Sequence, residues 1–526
     1  MSQGNVETNT NSSTIGIPSF VIISILTIFA IGPQYFINLS YTMNQQIIQN
    51  GLHFNSQFSL YPATLSNLAF ALGVPLGPMI ARNAGIRKHY LTCIFLFLCA
   101  SILNVFAPNI VVLILGRVVQ SLSAGMIFLT MLPISLRSFP GNIRNFFLFM
   151  IITGLFGSTA MGACFGSLSL NIDAWRWLFI LNIITSIICL IVGYFTFPKH
   201  KEHQKQPIDK MGIYLLTLIM FSLATPLCNL MDKGFSSFYV WPYLIVAGLL
   251  ILIFIYVDLQ KEVPLVPFAT LKAAKPISGT IMAVASHILL VLSIAGINGF
   301  LRNDKDLPYH YLVHFYFWFF IGILITAILK TLLYSKLGAG VMGIIGSVAV
   351  IYVSLEWRTM NPDVSLTALY VQVACLGAGV SMVLVGGALG TALAGDLHKA
   401  SLRSTTLHSI RNFVGAIISP VIGWYLSRQN QLHYEHIRST LGQFSGETNM
   451  EISQLTKQFM QHGLPQSKAE NMAFYELVLH SKKGAVLGAY HDLFTIMLIV
   501  SIIMILASIG KMATGKGLGL VPKKQK

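Results

Sequence analysis

An arginine stands inside the apolar run LILGRVVQSLSAG (113–125). Holding a guanidinium near a bilayer centre costs about 2.5–3.5 kcal/mol on insertion scales, so Arg117 must face a cavity or a partner. Gln120 lies one helical turn away, and Gly125 thins the same helix. Arg411, followed by Asn412 and Gly415, is a second cation within an apolar run. His287 and His408 also lie in apolar runs, where neutral imidazoles take up and release protons near physiological pH. Gln34, Asn38 and Asn44 are the polar groups of the first apolar helix. Amides, imidazoles and isolated cations inside apolar helices suit the binding and ion coupling of a transported solute. No nucleophile–base set, phosphate-binding loop or metal-ligand spacing accompanies them, so neither an enzyme nor a cofactor or metal is expected.

The elements that must position these residues follow from composition. The chain has 526 residues, 54% of them apolar and only 10% charged, with a mean hydropathy of +0.70. Soluble proteins carry about 25% charged residues. The apolar excess runs along nearly the whole length, which implies an all-α polytopic membrane protein and excludes disordered, collagenous and disulfide-scaffold classes. Segments of about 20 apolar residues can cross the hydrocarbon. Fourteen qualify, at 18–39, 59–81, 89–107, 109–133, 145–168, 175–197, 211–230, 239–257, 276–299, 312–332, 337–355, 364–394, 406–426 and 491–510, the twelfth long enough to be broken or steeply tilted.

The net charge of +16 comes from 34 Lys and Arg against 18 Asp and Glu. Nucleic-acid binding is one reading of such a balance, but in this chain the cations cluster on alternate loops. With the N-terminus inside, most of them, Lys330 included, fall on inner loops and the C-terminal tail. This is the asymmetry of cytoplasmic loops, and an even number of spans keeps both termini cytoplasmic. The acids are scarcest in the first half: residues 1–172 contain only Glu7. Proton carriers must then come from His287, His314, His398, His408, Asp258, Asp396 and Asp492. The six cysteines lie in apolar runs without CxxC spacing and read as small buried hydrophobes. Residues 1–17 lack the basic start of a secretory signal and read as a tail. In the polar stretch 427–490, Met450, Ile452, Leu455, Phe459 and Met460 recur at helical period, which predicts an amphipathic outer helix lying on the bundle.

Arg117-x-x-Gln120 followed by Gly125 resembles the fourth-helix signature of the major facilitator superfamily. Trp175-Arg176-Trp177-Leu178-Phe179-x-x-Asn182 resembles the signature opening helix six in its 14-spanner drug:proton antiporter branch, the multidrug-resistance exporter B-like group. Pro207-x-Asp209-x-x-Gly212, Pro264-Leu265-Val266, Arg411-Asn412-x-x-Gly415 and Asp492-x-Phe494 are similar to further pieces of that pattern, in the same order. The loop after the second span keeps Gly85, Arg87 and Lys88 of the family's gating loop, with Arg82 where the family has an aspartate; Lys336-Leu-Gly338-Ala-Gly340 echoes it later. Gly154, Gly157, Gly162 and Gly166 resemble the glycine-rich motif of exporters without its prolines, and they also suit plain close packing. The aspartate usual on helix one is absent. Trp175 and Trp177 suit a membrane boundary, with Arg176 near Asp173; for Arg411, snorkelling and a cavity-facing role both stay open.

The resemblance implies a major facilitator fold: a tail 1–17, a six-helix bundle 18–198, a loop and two linker helices 199–275, a second six-helix bundle 276–510 with outer segment 427–490, and a tail 511–526. It further implies export of small amphipathic molecules by proton antiport and alternating access, in a bacterial inner membrane. The expected partners are the lipid bilayer, a small-molecule substrate, protons and a periplasmic adaptor protein, and not nucleic acid. Arg117, Gln120 and Asn38 would line the first bundle's wall. The alternative is an importer, facilitator, or siderophore or metabolite exporter with atypical or no proton coupling, in which a substrate anion pairs with Arg117. A sensor that kept the fold without transport is the third reading.

Overall fold

A computed structural model describes residues 17–55, 58–140, 143–172, 175–197, 207–396, 399–443 and 445–515. Among them the helices are α1 (Ser19–Gly51), α2 (Tyr61–Ala84), α3 (Ile86–Val105), α4 (Ile110–Ser138), α5 (Phe146–Ile172), α6 (Trp177–Thr196), α7 (Lys210–Lys233) and α8 (Trp241–Leu259). They continue with α9 (Ala274–Asn303), α10 (Tyr309–Arg358), α11 (Leu366–Ala392), α12 (Ala400–Gln443), α13 (Ser445–Gln461) and α14 (Gln466–Ala513). Twelve of these are long and apolar enough to cross a membrane. α10 is two membrane-length arms joined at Gly338, where φ is 77° and the backbone leaves the helix. α12 carries the apolar stretch 406–426 before a polar extension. With the two arms of α10 counted separately, a described helix stands at each of the fourteen predicted segments, α12 being less apolar than the others. The 364–394 segment is one unbroken helix of 27 residues, which at 1.5 Å per residue spans about 40 Å and so exceeds the hydrocarbon thickness by tilt or overhang.

α1, α3, α4 and α6 share one apolar core, built on Ile31, Tyr90, Ile127 and Cys189. α9, α10, α11 and α14 share another, around Phe300, Trp357, Leu369 and Phe494. α5 joins this second core through Ile151 and Ile152, and so seams the two groups of helices together. α7 packs against α2 and α12 through Leu68, Met79, Leu216, Ile219 and Ala416, across the other seam, and α8 packs on α7.

Polar groups fasten the entry of α7. Asp209 is the N-cap, accepting the Gly212 amide at 2.9 Å. Its Oδ2 accepts the Leu265 amide at 3.1 Å, and Lys261 pairs at 2.5 Å with the Oδ1 that caps the helix. Asp258 accepts the Val266 amide at 3.1 Å. The two short motifs on either side of the α7–α8 hairpin therefore close on each other, and Asp258 is a clamp for the loop.

Two expectations differ. The polar stretch 427–490 is no loop bearing a single helix. α12 and α14 run on as helices through 427–443 and 466–490, the former adding about 25 Å of helix. α13 packs on the α14 extension and touches α12, instead of lying on the membrane bundle, because the paired extensions supply an apolar surface nearer to it. Cys99 and Cys164 are exposed on the outer surface of the bundle; an apolar run in a membrane helix includes a lipid-facing side, so apolar surroundings in sequence do not mean burial. Residues 1–16 of the expected tail, Asp173 and His398 lie outside the described residues.

Replacing Asp209 by Ala removes a helix cap worth about 0.5–2 kcal/mol and leaves the Leu265 amide unpaired. A clear drop in the melting temperature of the detergent-purified protein is expected, with a smaller one for Lys261→Met, whose ammonium is partly solvated. Equal melting of Asp209→Ala and wild type would show that the clamp contributes nothing.

Candidate functional site

Arg117 is fully buried, and helices α1, α2 and α4 hold it. Its Nη2 donates to Asn38 Oδ1 at 2.6 Å and to Ser66 Oγ at 3.3 Å. Its Nη1 donates to Gln120 Oε1 at 3.2 Å, and the guanidinium lies 5.6 Å from the Tyr41 ring centroid. Gln120 is held in turn by α3: its amide donates to Ser101 Oγ at 3.0 Å, and Asn104 donates to its carbonyl at 3.4 Å. Gln34 donates to Ser121 at 2.7 Å and to Asn38 at 3.3 Å. Among the described residues no carboxylate takes part. Gln120 is enclosed between α3 and α4, so it does not line a wall as the sequence reading expects; its side chain is consumed in holding Arg117. Asn38 keeps partial exposure.

The second cluster gathers residues from both halves of the chain. Arg411 on α12 is 8% exposed. It stands within hydrogen-bonding reach of the Tyr35 hydroxyl on α1 and 5.8 Å from the Phe128 ring centroid on α4. His408, one turn before it, meets Phe128 edge-on at 5.2 Å. His287 on α9 lies against α12: a methyl added at Gly415 would stand 2.4 Å from His287 Nε2. Arg411 Nε and His408 Nδ1 are buried without a hydrogen-bond partner. Tyr35 and Asn38 are three residues apart on α1, so both arginines reach the same face of that helix.

The remaining sequence candidates are positioned for packing and capping. Ser40 donates to the Gly162 carbonyl at 2.9 Å, and Asn44 donates to that of Gly166 at 3.1 Å. A methyl at Gly162 would sit 2.4 Å from the Phe36 carbonyl, and one at Gly154 2.5 Å from Ile28. These three glycines therefore bring α5 against α1, whereas Gly157 faces Phe320 of α10 at an ordinary 3.6 Å. Gly85 has φ 83° and makes the α2–α3 turn; Gly338 makes the matching turn in α10. Arg87 stacks on Tyr194 of α6, 4.4 Å from its centroid, Lys88 is exposed, and Arg82 donates to the Pro78 carbonyl of its own helix at 3.3 Å. Trp175 is 3% exposed beneath the end of α1, so it is not a boundary anchor. Arg176 donates to the carbonyls of Val105 at 2.6 Å and Ala107 at 2.9 Å, closing the end of α3. Trp177 packs edge-on against Phe165 at 5.4 Å, and Asn182 is buried. His314 is exposed, and Asp492 pairs with His433 of α12 at 2.7 Å.

Sequence reasoning missed several buried polar groups. Lys330 belongs to no loop: it is fully buried in α10, donating to the Ser381 carbonyl at 3.1 Å and hydroxyl at 2.5 Å. Lys511 donates to the carbonyls of Gly390 at 2.6 Å and Lys275 at 2.7 Å. Arg403 donates to those of Thr391 at 3.0 Å and Ala392 at 2.7 Å. All three stood at the ends of apolar runs, where a loop cation and a buried one look alike in sequence. His89 on α3 is buried against the Met126 carbonyl at 3.2 Å. Asp304, just past α9, is 7% exposed. Burial raises its carboxyl from 3.8 to about 7; Asp306 beside it adds to the rise and Lys483 opposes it.

Apolar helices long enough to cross a membrane, around buried polar clusters of which one is shared by the two halves of the chain, are the make-up of a multi-pass membrane transporter. The chain belongs to the Major Facilitator Superfamily, whose family model matches residues 20–423. It is 28% identical over 507 residues, 95% of this chain and 90% of the relative, to the uncharacterized MFS-type transporter YubD of Bacillus subtilis (strain 168). It is 30% identical over 198 residues, 38% of this chain and 42% of the relative, to the quinolone resistance protein NorB of Staphylococcus aureus (strain MRSA252). Among solved structures, it is similar to a bacterial homolog of the human lysosomal transporter Spinster, in an inward-facing and unoccupied conformation. That match has a TM-score of 0.54 and 13% identity, covering 94% of this chain and 98% of that one. At that identity the likeness is one of fold. Further relatives, matched over less than half of the chain, also carry drug-resistance names.

Two measurements check the geometry. Gly162→Ala must push α5 off the α1 backbone and is expected to destabilise by about 1–3 kcal/mol, while Gly157→Ala is tolerated; equal melting of the two variants would refute the close α1–α5 approach. Because Asp304 is harder to ionise folded than unfolded, the folded state loses stability as pH rises from about 4 to 7 and levels off above that. Asp304→Asn should remove that part of the slope, seen as a flatter melting temperature against pH.

Proposed function

We propose that this protein is a secondary transporter that exports small amphipathic molecules by alternating access, with the Gly85 end and both termini in the cytoplasm of a bacterial inner membrane. The observation that carries the reading is the pair of arginine clusters converging on one face of α1, one of them shared with α9 and α12. A group bound there touches both halves of the chain. Rocking the halves about it would expose it first to one side and then to the other, as in transporters built from repeats. Residues 18–198 and 276–510 are the two moving bundles, and α7 bridges their seam between α2 and α12 with α8 packed on it. The excess of cations on the loops at the Gly85 end supports the orientation, and the drug-resistance names of several relatives support the direction.

Proton antiport, which the family resemblance implies, would run through His287 and His408, the imidazoles nearest the shared cluster. A second reading, transport without proton coupling, is favoured by one specific feature: among the described residues no carboxylate contacts Arg117 or Arg411. The two readings part in everted vesicles. Antiport predicts uptake of substrate driven by an imposed pH gradient and abolished when the gradient is collapsed. The second reading predicts uptake that follows membrane potential and ignores ΔpH.

Arg117→Ala leaves Asn38, Gln120 and Ser66 without their shared donor and is expected to cut efflux at least tenfold at wild-type abundance. Unchanged efflux from that variant would remove Arg117 from the transport machinery.

A further inference from the structure

We infer that the Arg411 cluster is a binding site for an amphipathic organic anion, an aromatic carboxylate being the simplest member of the class. The inference rests on the export reading for its direction of movement, but the site is argued from its own chemistry. Arg411 is nine-tenths buried, and its Nε has no hydrogen-bond partner. What surrounds it is a phenol, an aromatic face and two imidazoles, Tyr35, Phe128, His287 and His408. None of these carries a negative charge at neutral pH. The ion pairs Lys261–Asp209, His433–Asp492 and Lys483–Asp306 all lie elsewhere. A guanidinium in this setting has a planar fork of donors that matches a carboxylate. A cationic ligand would instead meet Arg411, and beyond it Arg117, as like charges.

The same residues supply an apolar bed. Tyr35 meets Phe70 at 6.4 Å, Phe70 meets Phe128 at 5.9 Å, and Phe128 meets His408 at 5.2 Å. The row runs from α1 through α2 and α4 to α12 and suits a flat aromatic body whose acid group points at Arg411. Asn38, one turn along α1 from Tyr35, brings the Arg117 network next on the path. The cluster also accounts for the missing acids. A membrane potential negative inside favours a monovalent anion outside by about fiftyfold per 100 mV, so export of an anion needs no proton-carrying carboxylate.

The test uses the purified full-length protein and three probes of one shape: 1-naphthoate, 1-naphthamide and 1-naphthylmethylammonium, measured by isothermal titration. Saturable binding of naphthoate, at least tenfold tighter than the other two, is expected. Arg411→Gln should abolish that preference and leave naphthamide binding as it was. Tyr35→Phe should weaken naphthoate by a few-fold, and Arg411→Lys, which keeps the charge, should retain part of the preference. Naphthylmethylammonium binding as tightly as naphthoate, or no saturable naphthoate binding at millimolar concentration, overturns the inference; so does an Arg411→Gln protein with wild-type preference. If Arg411→Gln does not purify as a folded protein, the wild-type order and Arg411→Lys decide. Proteoliposomes with a potassium diffusion potential separate the two levels. Transport of the ammonium but not the carboxylate sinks the anion site and leaves the export reading standing. Arg411-dependent binding of naphthoate with no transport of any probe sinks the export reading and leaves the site.

Discussion

The constraint on which this structure depends is the burial of cations in a bundle that has almost no anions to offer them. A charge removed from water needs compensation nearby. Here it comes from the neutral end of the hydrogen-bond inventory. Arg117 rests on two amide oxygens and a hydroxyl, and Arg176 on the carbonyls that end α3. Lys511 and Arg403 rest on the carbonyls that end α11, and Lys330 on a serine. Helix ends present unpaired carbonyls and the negative pole of the helix dipole, so a cation placed there satisfies both parties. These contacts tie α3 to the start of α6, and α9, α11 and α14 to one another. Arg411 is the member of the set with the least complete compensation, and it stands where both halves of the chain meet.

Small residues let the neutral acceptors come close enough. α5 lies on α1 because Gly154, Gly162 and Gly166 present no side chain to it, and the shared hydrogen bonds from Ser40 and Asn44 then reach the α5 carbonyls. α5 can consequently face α10 on its other side, through Gly157 and Phe320, and serve as one seam of the molecule. The same economy shapes the turns: Gly85 and Gly338 take backbone conformations that side chains disfavour, and each reverses a helix at the same end of the bundle. The loops there keep the glycines of the family pattern but not its acid. Arg82, in the acid's place, turns back onto its own helix.

Much of the fold was legible beforehand because membrane helices announce themselves locally: twenty apolar residues, a cation-rich loop, a glycine turn. The α10 kink and the α7–α8 clamp fall where the short motifs stood. The outer segment is less legible in the sequence. Its helical period was visible in 449–462, but the surface that covers it belongs to the extensions of α12 and α14, which are polar and look like loop in a hydropathy profile. Arg117 and Gln120 were recognisable as a unit because they are one turn apart on one helix. Lys330, Lys511 and Arg403 were not, because their partners lie on other helices.

The sequence by itself determined that this is a polytopic helical membrane protein of the major facilitator type, and that residues 8–172 contain no acid. Both are properties of composition and short-range pattern. Only the tertiary structure decided that Arg411, His408, His287, Tyr35 and Phe128 form one place, since α1, α4, α9 and α12 are far apart in the chain and meet only when the two halves close. It also decided that Gln120 supports Arg117 instead of facing a solute, because the orientation of a side chain around a wholly apolar helix depends on which neighbours pack against it.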